Sequence, residues 1–89
     1  MFSQKVLEAI TALVIEETRG NKDALFRAIK TNRQEVGLWL SHTLPNLCPS
    51  IAMRTGETLL IWSTQQAAEE ILCYWEKQYK DELAKIKIV

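Results

Sequence analysis

The sequence predicts a mainly α-helical domain, built from a three-helix unit, a small β-hairpin and a long C-terminal helix. Apolar residues recur every three or four positions near both ends of the chain, which is the spacing of one helix face. Only three of the 89 residues are glycine and two are proline, whereas 47% are hydrophobic. A chain of this size buries a single core. We therefore expect one domain over 1–89, with the three-helix unit at 1–44, the hairpin at 51–62 and the final helix at 64–84.

Residues 3–18 are predicted to form the first helix. Ser3 is a suitable N-cap, because its hydroxyl can accept a hydrogen bond from a backbone amide of the first turn. Gly20 is expected to end the helix, since a residue of positive φ often follows a helix and glycine adopts positive φ without strain. The apolar face of this helix comprises Val6, Leu7, Ile10, Leu13, Val14 and Ile15.

A short second helix is expected at about 22–29. Asn21 can cap its N-terminus, and Asp23 favours the positive end of the helix dipole. The apolar face of this helix comprises Leu25, Phe26 and Ile29. Lys30 and Thr31 are expected to form the turn that follows.

The third helix is expected at about 33–43, with Asn32 as its N-cap. Pro45 disfavours the helical conformation of Leu44, so the helix should end there. The residues that this helix is expected to bury are Val36, Trp39 and Leu40.

The stretch at 51–62 is predicted to be a β-hairpin. Two apolar runs flank the pair Thr55-Gly56, and a glycine-containing turn between such runs is typical of hairpins. The alternation of apolar and polar residues is imperfect, so a short helix through 57–62 is the alternative.

A long final helix is expected at about 65–84, capped by Ser63 or Thr64. Residues 86–89 would form either an edge strand or a frayed end. The apolar side of the helix comprises Ala68, Ile71, Leu72, Trp75, Tyr79 and Leu83. In a two-fold dimer this helix would pair the subunits, through Leu72, Trp75, Tyr79 and Leu83.

The two short helices have the layout of a helix-turn-helix, in which the second helix enters the major groove of DNA. Arginine pairs with guanine and glutamine with adenine in that groove, which makes Arg33 and Gln34 candidates for base recognition. Residues at the start of the helix can bind phosphates, and Gly37 allows close approach. The predicted DNA-binding residues are Lys22, Arg27, Lys30, Thr31, Asn32, Arg33, Gln34, Gly37, Ser41 and Arg54.

The net charge of the chain is zero, with 11 basic and 11 acidic residues, which by itself argues against a nucleic-acid ligand. The charges are unevenly distributed, however. Residues 19–54 carry six basic side chains against two acidic ones, while the segments before and after are each net acidic. The basic middle third contains the predicted helix-turn-helix, although a solvated helix face would produce the same asymmetry.

A resemblance to a known family rests on Leu13, Val14, the run Thr18-Arg19-Gly20-Asn21 and the pair Asn32-Arg33. Over about residues 10–42 the sequence resembles the Fis-type helix-turn-helix, found in a nucleoid protein and at the ends of bacterial enhancer-binding regulators. The resemblance implies that Asn32 and Arg33 contact DNA at the start of the recognition helix. Gln34, Gly37 and Ser41 would follow along the groove.

The sequence departs from this family at two positions. The family usually has a small residue at the position of Phe26 and a glycine at the position of Lys30. The family unit also normally closes a protein, whereas a long segment follows it here. That segment resembles the wing hairpin and the C-terminal helix of winged helix-turn-helix regulators. This similarity implies that Arg54 and Thr55, at the tip of the hairpin, contact a phosphate or the minor groove.

Other functional classes receive little support from the residues. Cys48 and Cys73 are too far apart for a CxxC pair, and they are expected to be buried thiols of a reducing compartment. His42 with Cys48 lacks the further ligands that a metal site needs. With one histidine, no nucleophile motif and no glycine loop for phosphate, we expect neither enzymatic activity nor a cofactor.

These features predict a small sequence-specific DNA-binding regulator of transcription, which acts on double-stranded DNA as a homodimer in the cytoplasm. The sequence contains neither a signal-like segment nor an apolar run of membrane-spanning length.

A second hypothesis is a helical protein-interaction module, an adaptor or inhibitor that does not bind DNA. The zero net charge, the apolar Leu38 on the predicted DNA-reading face and the three tryptophans favour it, because tryptophan is frequent in interface hot spots. The arrangement of three short helices is also common in compact helical domains, so it does not by itself indicate DNA binding. A continuous basic strip on the surface would favour DNA, and exposed tryptophan would favour a protein partner.

Overall fold

The computed structural model describes residues 2–58 and 64–87, which contain five α-helices and no strand. The helices are α1 (Gln4–Glu17), α2 (Lys22–Thr31), α3 (Arg33–Thr55), α4 (Thr64–Gln78) and α5 (Lys80–Lys85). The long helix α3 is central, because α1, α2 and α4 all pack against it. α5 packs on α2 and α4. The predicted α-helical class is confirmed.

The N-caps predicted for the first three helices are confirmed. The side-chain oxygens of Ser3, Asn21 and Asn32 each accept a hydrogen bond from the amide three residues later, at 3.2, 3.1 and 3.2 Å. Gly20 has a φ of 78°, as expected of a residue that ends a helix. Arg19 before it also has a positive φ, 58°, so the chain reverses over two left-handed residues.

The predicted β-hairpin at 51–62, and with it the winged helix-turn-helix, is wrong. Residues 51–55 form the last turn of α3, and Gly56, with a φ of 73°, is the left-handed C-cap of that helix rather than a hairpin turn. The reason is that Ile51 and Thr55 continue the buried side of the helix. Residues 59–62 of the predicted hairpin lie outside the described residues, as do the last two positions of the tail.

The predicted ends of α2 and α3 are also wrong. α2 continues through Lys30 and Thr31, so the turn before α3 is reduced to Asn32. α3 does not end at Leu44 but runs 23 residues, through Pro45 and Pro49. Both prolines are exposed. The residues that keep the helix intact are its buried side chains Leu40, Leu44, Leu47 and Ile51.

The hydrophobic core lies along α3 and is closed by α1 and α4. Among the described residues, the largest fully buried side chain is Trp75 of α4, whose indole Nε1 donates a hydrogen bond to Thr11 Oγ1 of α1 at 2.8 Å. The final helix predicted at 65–84 is present but divided, because Tyr79, with a φ of −113°, separates α4 from α5. Across the described residues, no helix is both long enough and apolar enough to cross a membrane.

Candidate functional site

Part of the face of α3 that was predicted to read DNA lies against α4. A Cβ atom added to Gly37 would lie 3.3 Å from Leu72 Cδ1, so this glycine allows close packing of the two helices. Ser41 is buried, with 8% of its surface exposed, and its hydroxyl donates to the Leu38 carbonyl at 2.7 Å. The helical spacing that grouped Arg33, Gly37 and Ser41 on one face is therefore real, but α4 covers part of that face.

Arg33 is held by two glutamates of α4. Its guanidinium donates to both carboxylate oxygens of Glu69, at 2.8 and 2.9 Å, and to both oxygens of Glu76, at 3.0 to 3.2 Å. These bonds hold the pKa of Glu69 below its usual value and raise the pKa of Arg33. In this arrangement the charge of Arg33 is directed at carboxylates of the same chain rather than at an external phosphate.

Cys73 lies beside this cluster and is exposed, and Cys48 is only half-buried, so the prediction that both thiols are buried is wrong. The Cys73 Sγ is 3.6 Å from Glu69 Oε1 and 3.8 Å from Arg33 Nη2. Partial burial, together with the hydrogen bond to Glu69, raises the pKa of the thiol. The thiol is therefore kept protonated at neutral pH and is not activated as a nucleophile.

Two further basic residues of the predicted DNA site bind groups of this chain. Arg54 pairs with Glu16 of α1, with Nη2 at 3.0 and 3.1 Å from the two carboxylate oxygens. Lys30 Nζ donates to two backbone carbonyls at the end of α5, at 2.7 and 2.8 Å. Lys22 and Arg27 are exposed on α2. Three of the five basic side chains predicted to contact DNA are thus engaged within the molecule.

The four residues predicted to pair subunits belong to the core of the monomer. Leu72 and Trp75 are 1% and 0% exposed, and Leu83 is 9% exposed. Tyr79 is half-buried, with its ring centroid 5.1 Å from that of Phe26. Leu72, Trp75 and Leu83 are covered by the helices of their own chain, and Tyr79 is covered in part.

A groove lies between α2 and the first half of α3. Ala24 and Ala28, one turn apart on α2, leave space beside α3, and Trp39 forms the opposite wall. Trp39 was expected in the core, but it is 39% exposed. The groove has a volume of about 390 Å³ and is open to solvent. The residues that line this α2/α3 groove are Thr18, Ala24, Leu25, Ala28, Thr31, Asn32, Glu35, Val36 and Trp39.

The lining of the α2/α3 groove is mostly apolar. Leu25 and Val36 are buried beneath it, at 7% and 6% exposure. Among the described residues that line it, Glu35 alone is charged, and its Oε2 accepts a hydrogen bond from Asn32 Nδ2 at 3.3 Å. Thr31 and Asn32, which were predicted to bind phosphate, therefore lie at the rim of an apolar groove beside a carboxylate.

A second exposed apolar surface runs along the solvent side of α3. Among the described residues, the large hydrophobic side chains that remain exposed are Leu38 (57%), Trp39 (39%) and Met53 (88%), and all three belong to this helix. The surface, called the outer face of α3 below, consists of Leu38, Trp39, His42, Pro45, Asn46, Pro49 and Met53. The sequence interpretation missed it because it ended the helix at Leu44 and assigned Met53 to a strand.

The described residues contain no group of three or more His, Cys, Asp or Glu side chains that could hold a metal ion. Comparison of the chain with protein-family models, with curated proteins and with solved structures gives no match. The resemblance to the Fis-type helix-turn-helix therefore stays a prediction from the sequence.

Proposed function

We propose that this chain is a non-enzymatic protein-interaction module that binds an apolar segment of a partner protein in the α2/α3 groove. The observation that carries the proposal is the exposed wall of Trp39 facing Ala24 and Ala28 across an apolar floor. A tryptophan beside a pocket is a frequent hot spot of protein interfaces, because it buries a large area with few rotatable bonds.

The groove also indicates the chemistry of the segment. Its volume of about 390 Å³ is at the lower end of ligand pockets and accommodates two or three apolar side chains. An amphipathic helix places such side chains on one face, at intervals of three and four residues. Glu35 at the rim favours a lysine or arginine next to those side chains. The proposed ligand is therefore an apolar helical segment with an adjacent basic residue.

Binding of double-stranded DNA by a dimeric regulator is the second candidate. Lys22 and Arg27 are exposed on α2 and Gln34 is exposed on α3, and this exposure supports DNA binding. DNA binding has less support than peptide binding in the α2/α3 groove, because Arg33 is paired with two glutamates and Gly37 faces Leu72.

A peptide selection tests the proposal directly. Peptides of random sequence are selected on the immobilised protein, and the affinity of each enriched peptide is then measured by fluorescence anisotropy. Because Ala28 lines the groove, Ala28→Glu should weaken binding about tenfold or more by placing a charge against apolar side chains. Ala12→Glu, on the exposed side of α1, is the matched control and should leave affinity unchanged.

The enriched peptides should share apolar residues at helical spacing and a basic residue. A selection without such a pattern, or peptides that bind the Ala28→Glu variant as well as the original chain, would contradict the proposal. Anisotropy with random duplex DNA over a salt series addresses the second candidate. Affinity that falls steeply with salt and is lost in Arg27→Glu would favour DNA instead.

A further inference from the structure

The outer face of α3 is unusually poor in charge for a surface exposed to water. From residue 36 to residue 53 the sequence contains no Asp, Glu, Lys or Arg, although this stretch is about 27 Å of helix. Leu38 and Trp39 lie at one end of the face and Met53, 88% exposed, lies at the other. Exposed hydrophobic surface of this kind marks an interaction site in a folded protein.

We propose that this face binds a second copy of the chain, with the two α3 helices antiparallel and related by a two-fold axis near Pro45 and Asn46. The inference concerns a surface that adjoins the α2/α3 groove at Trp39, and it does not depend on what the groove binds. A two-fold interface must be self-complementary, since both copies use the same residues. In this register Leu38 and Trp39 of one copy lie opposite Met53 of the other, so the exposed apolar side chains at the two ends cover one another.

The backbone of α3 is also self-complementary at the centre of the face. A residue in a helix normally accepts a hydrogen bond from the amide four positions later, and proline has no amide hydrogen. Pro49 therefore leaves the carbonyl of Pro45 without its helical donor. Asn46 of the second copy lies opposite this carbonyl, and its side-chain amide can donate to it.

Charge favours the antiparallel arrangement over the parallel one. Glu35 is the charged residue at the N-terminal end of the face, and the antiparallel register keeps the two copies of Glu35 about 30 Å apart along the helices. That distance exceeds the screening length of about 8 Å at physiological salt. A parallel pair would place the two carboxylates side by side.

The size of the face indicates a weak dimer. The face from Leu38 to Met53 is about 24 Å long, and the molecule is 21 Å across. Even across this full width the interface covers at most about 500 Å² per copy, which is below the 800 Å² per partner that is typical of stable complexes. We therefore expect dissociation in the micromolar range, with dimer and monomer both present at accessible concentrations.

Sedimentation velocity over a concentration series, on the full chain, tests this interface. Met53→Glu and Leu38→Glu should each raise the dissociation constant of the dimer by about tenfold or more, because each buries a carboxylate against apolar groups. Ala12→Glu serves again as the matched control and should leave the constant unchanged. Both interface positions are exposed in the monomer, so far-UV circular dichroism should show that the variants keep their helices.

Thiol cross-linking tests the register. In a background carrying Cys48→Ala and Cys73→Ser, the Leu38→Cys and Met53→Cys variants are mixed and treated with a short bismaleimide. The mixture should form cross-linked dimer, and Leu38→Cys alone should not, because its two copies are about 20 Å apart along the helices.

Three results would overturn the proposal. They are a chain that stays monomeric at millimolar concentration, a dimer that is unaffected by both glutamate variants, and Leu38→Cys cross-linking to itself as fast as to Met53→Cys. Loss of the dimer with retained peptide binding would remove this inference and leave the groove proposal standing, since Ala28 and Met53 lie on separate surfaces.

Discussion

Arg33 shows how one side chain can serve a different role from the one its position in the sequence suggests. It follows an N-cap asparagine at the start of a helix, which is where a DNA-reading arginine is expected. In the folded chain it instead joins α3 to α4 through Glu69 and Glu76. Bonds to four carboxylate oxygens orient the guanidinium toward α4.

We expect Arg33→Gln to lower the free energy of unfolding at pH 7 by no more than about 1 kcal/mol, because the paired side chains are all more than a third exposed. Glu69 has a lowered pKa in the folded chain, so its contribution is complete above the ordinary glutamate pKa of about 4.3. It is lost as the pH falls through the lower pKa of the folded state.

Urea denaturation at pH 7 and near pH 2.5 measures this effect. The difference between Arg33→Gln and the original chain should be present at pH 7 and should vanish at the acidic pH. Arg27→Gln, an exposed arginine on α2, is the control and should show no difference at either pH. A loss that is the same at both pH values would mean that the ion pairs with α4 contribute nothing.

At the scale of the element, α3 illustrates that a proline lowers helical propensity without setting where a helix ends. Pro45 and Pro49 are four residues apart and therefore lie on the same side of the helix, where both are exposed. The opposite side carries Leu44, Leu47 and Ile51, and their burial outweighs the lost hydrogen bonds.

We predict that Pro45→Ala raises the free energy of unfolding by about 1–3 kcal/mol. Alanine restores the amide that the Ser41 carbonyl lacks and removes the clash of the proline ring with the preceding turn. Thermal and urea denaturation, followed by far-UV circular dichroism, measure the gain. Asn46→Ala, its neighbour on the helix, should gain only about 0.5 kcal/mol from propensity. If the helix ended at Leu44, Pro45→Ala would leave both stability and helix content unchanged.

At the scale of the whole molecule, α1 and α4 are joined by a hydrogen bond between residues 64 positions apart. Thr11 Oγ1 accepts from the Trp75 indole at 2.8 Å and donates to the Leu7 carbonyl at 2.7 Å. Both groups of this pair are buried. An unpaired indole N–H in that position would carry the full cost of desolvation.

Thr11→Val should therefore lower the free energy of unfolding by about 1–3 kcal/mol. Thr11→Ser keeps the hydroxyl, loses one methyl group and should cost about 1 kcal/mol or less. Urea denaturation followed by tryptophan fluorescence and by far-UV circular dichroism should give the same shift, because one core holds all the helices. Equal losses for the two variants, or different midpoints for the two probes, would contradict this account.

The interaction proposals also belong to the scale of the whole molecule. The α2/α3 groove and the outer face of α3 share Trp39 at their boundary, and both depend on α3 being a single long helix. A dimer through the outer face would leave Ala24 and Ala28 accessible in each copy. Each dimer would then present two grooves to a partner, and a partner with two binding segments would bind it with increased avidity.

The start of most helices could be assigned from the sequence alone. Caps and turns depend on neighbouring residues only, so Ser3, Asn21, Asn32 and Gly20 could be assigned from their own side chains and spacing. The apolar faces of α1, α2 and α4 followed from periodicity for the same reason.

The end of α3, the partners of Arg33 and the set of exposed apolar residues depend on how the helices pack together. The continuation of α3 past Pro45 depends on burial against α1 and α4, which no local signal contains. Arg33 meets carboxylates 36 and 43 residues away, and Trp39 is exposed because small alanines face it across the groove. Contacts between distant segments decide these features, because burial and pairing are properties of the assembled core and not of the local chain.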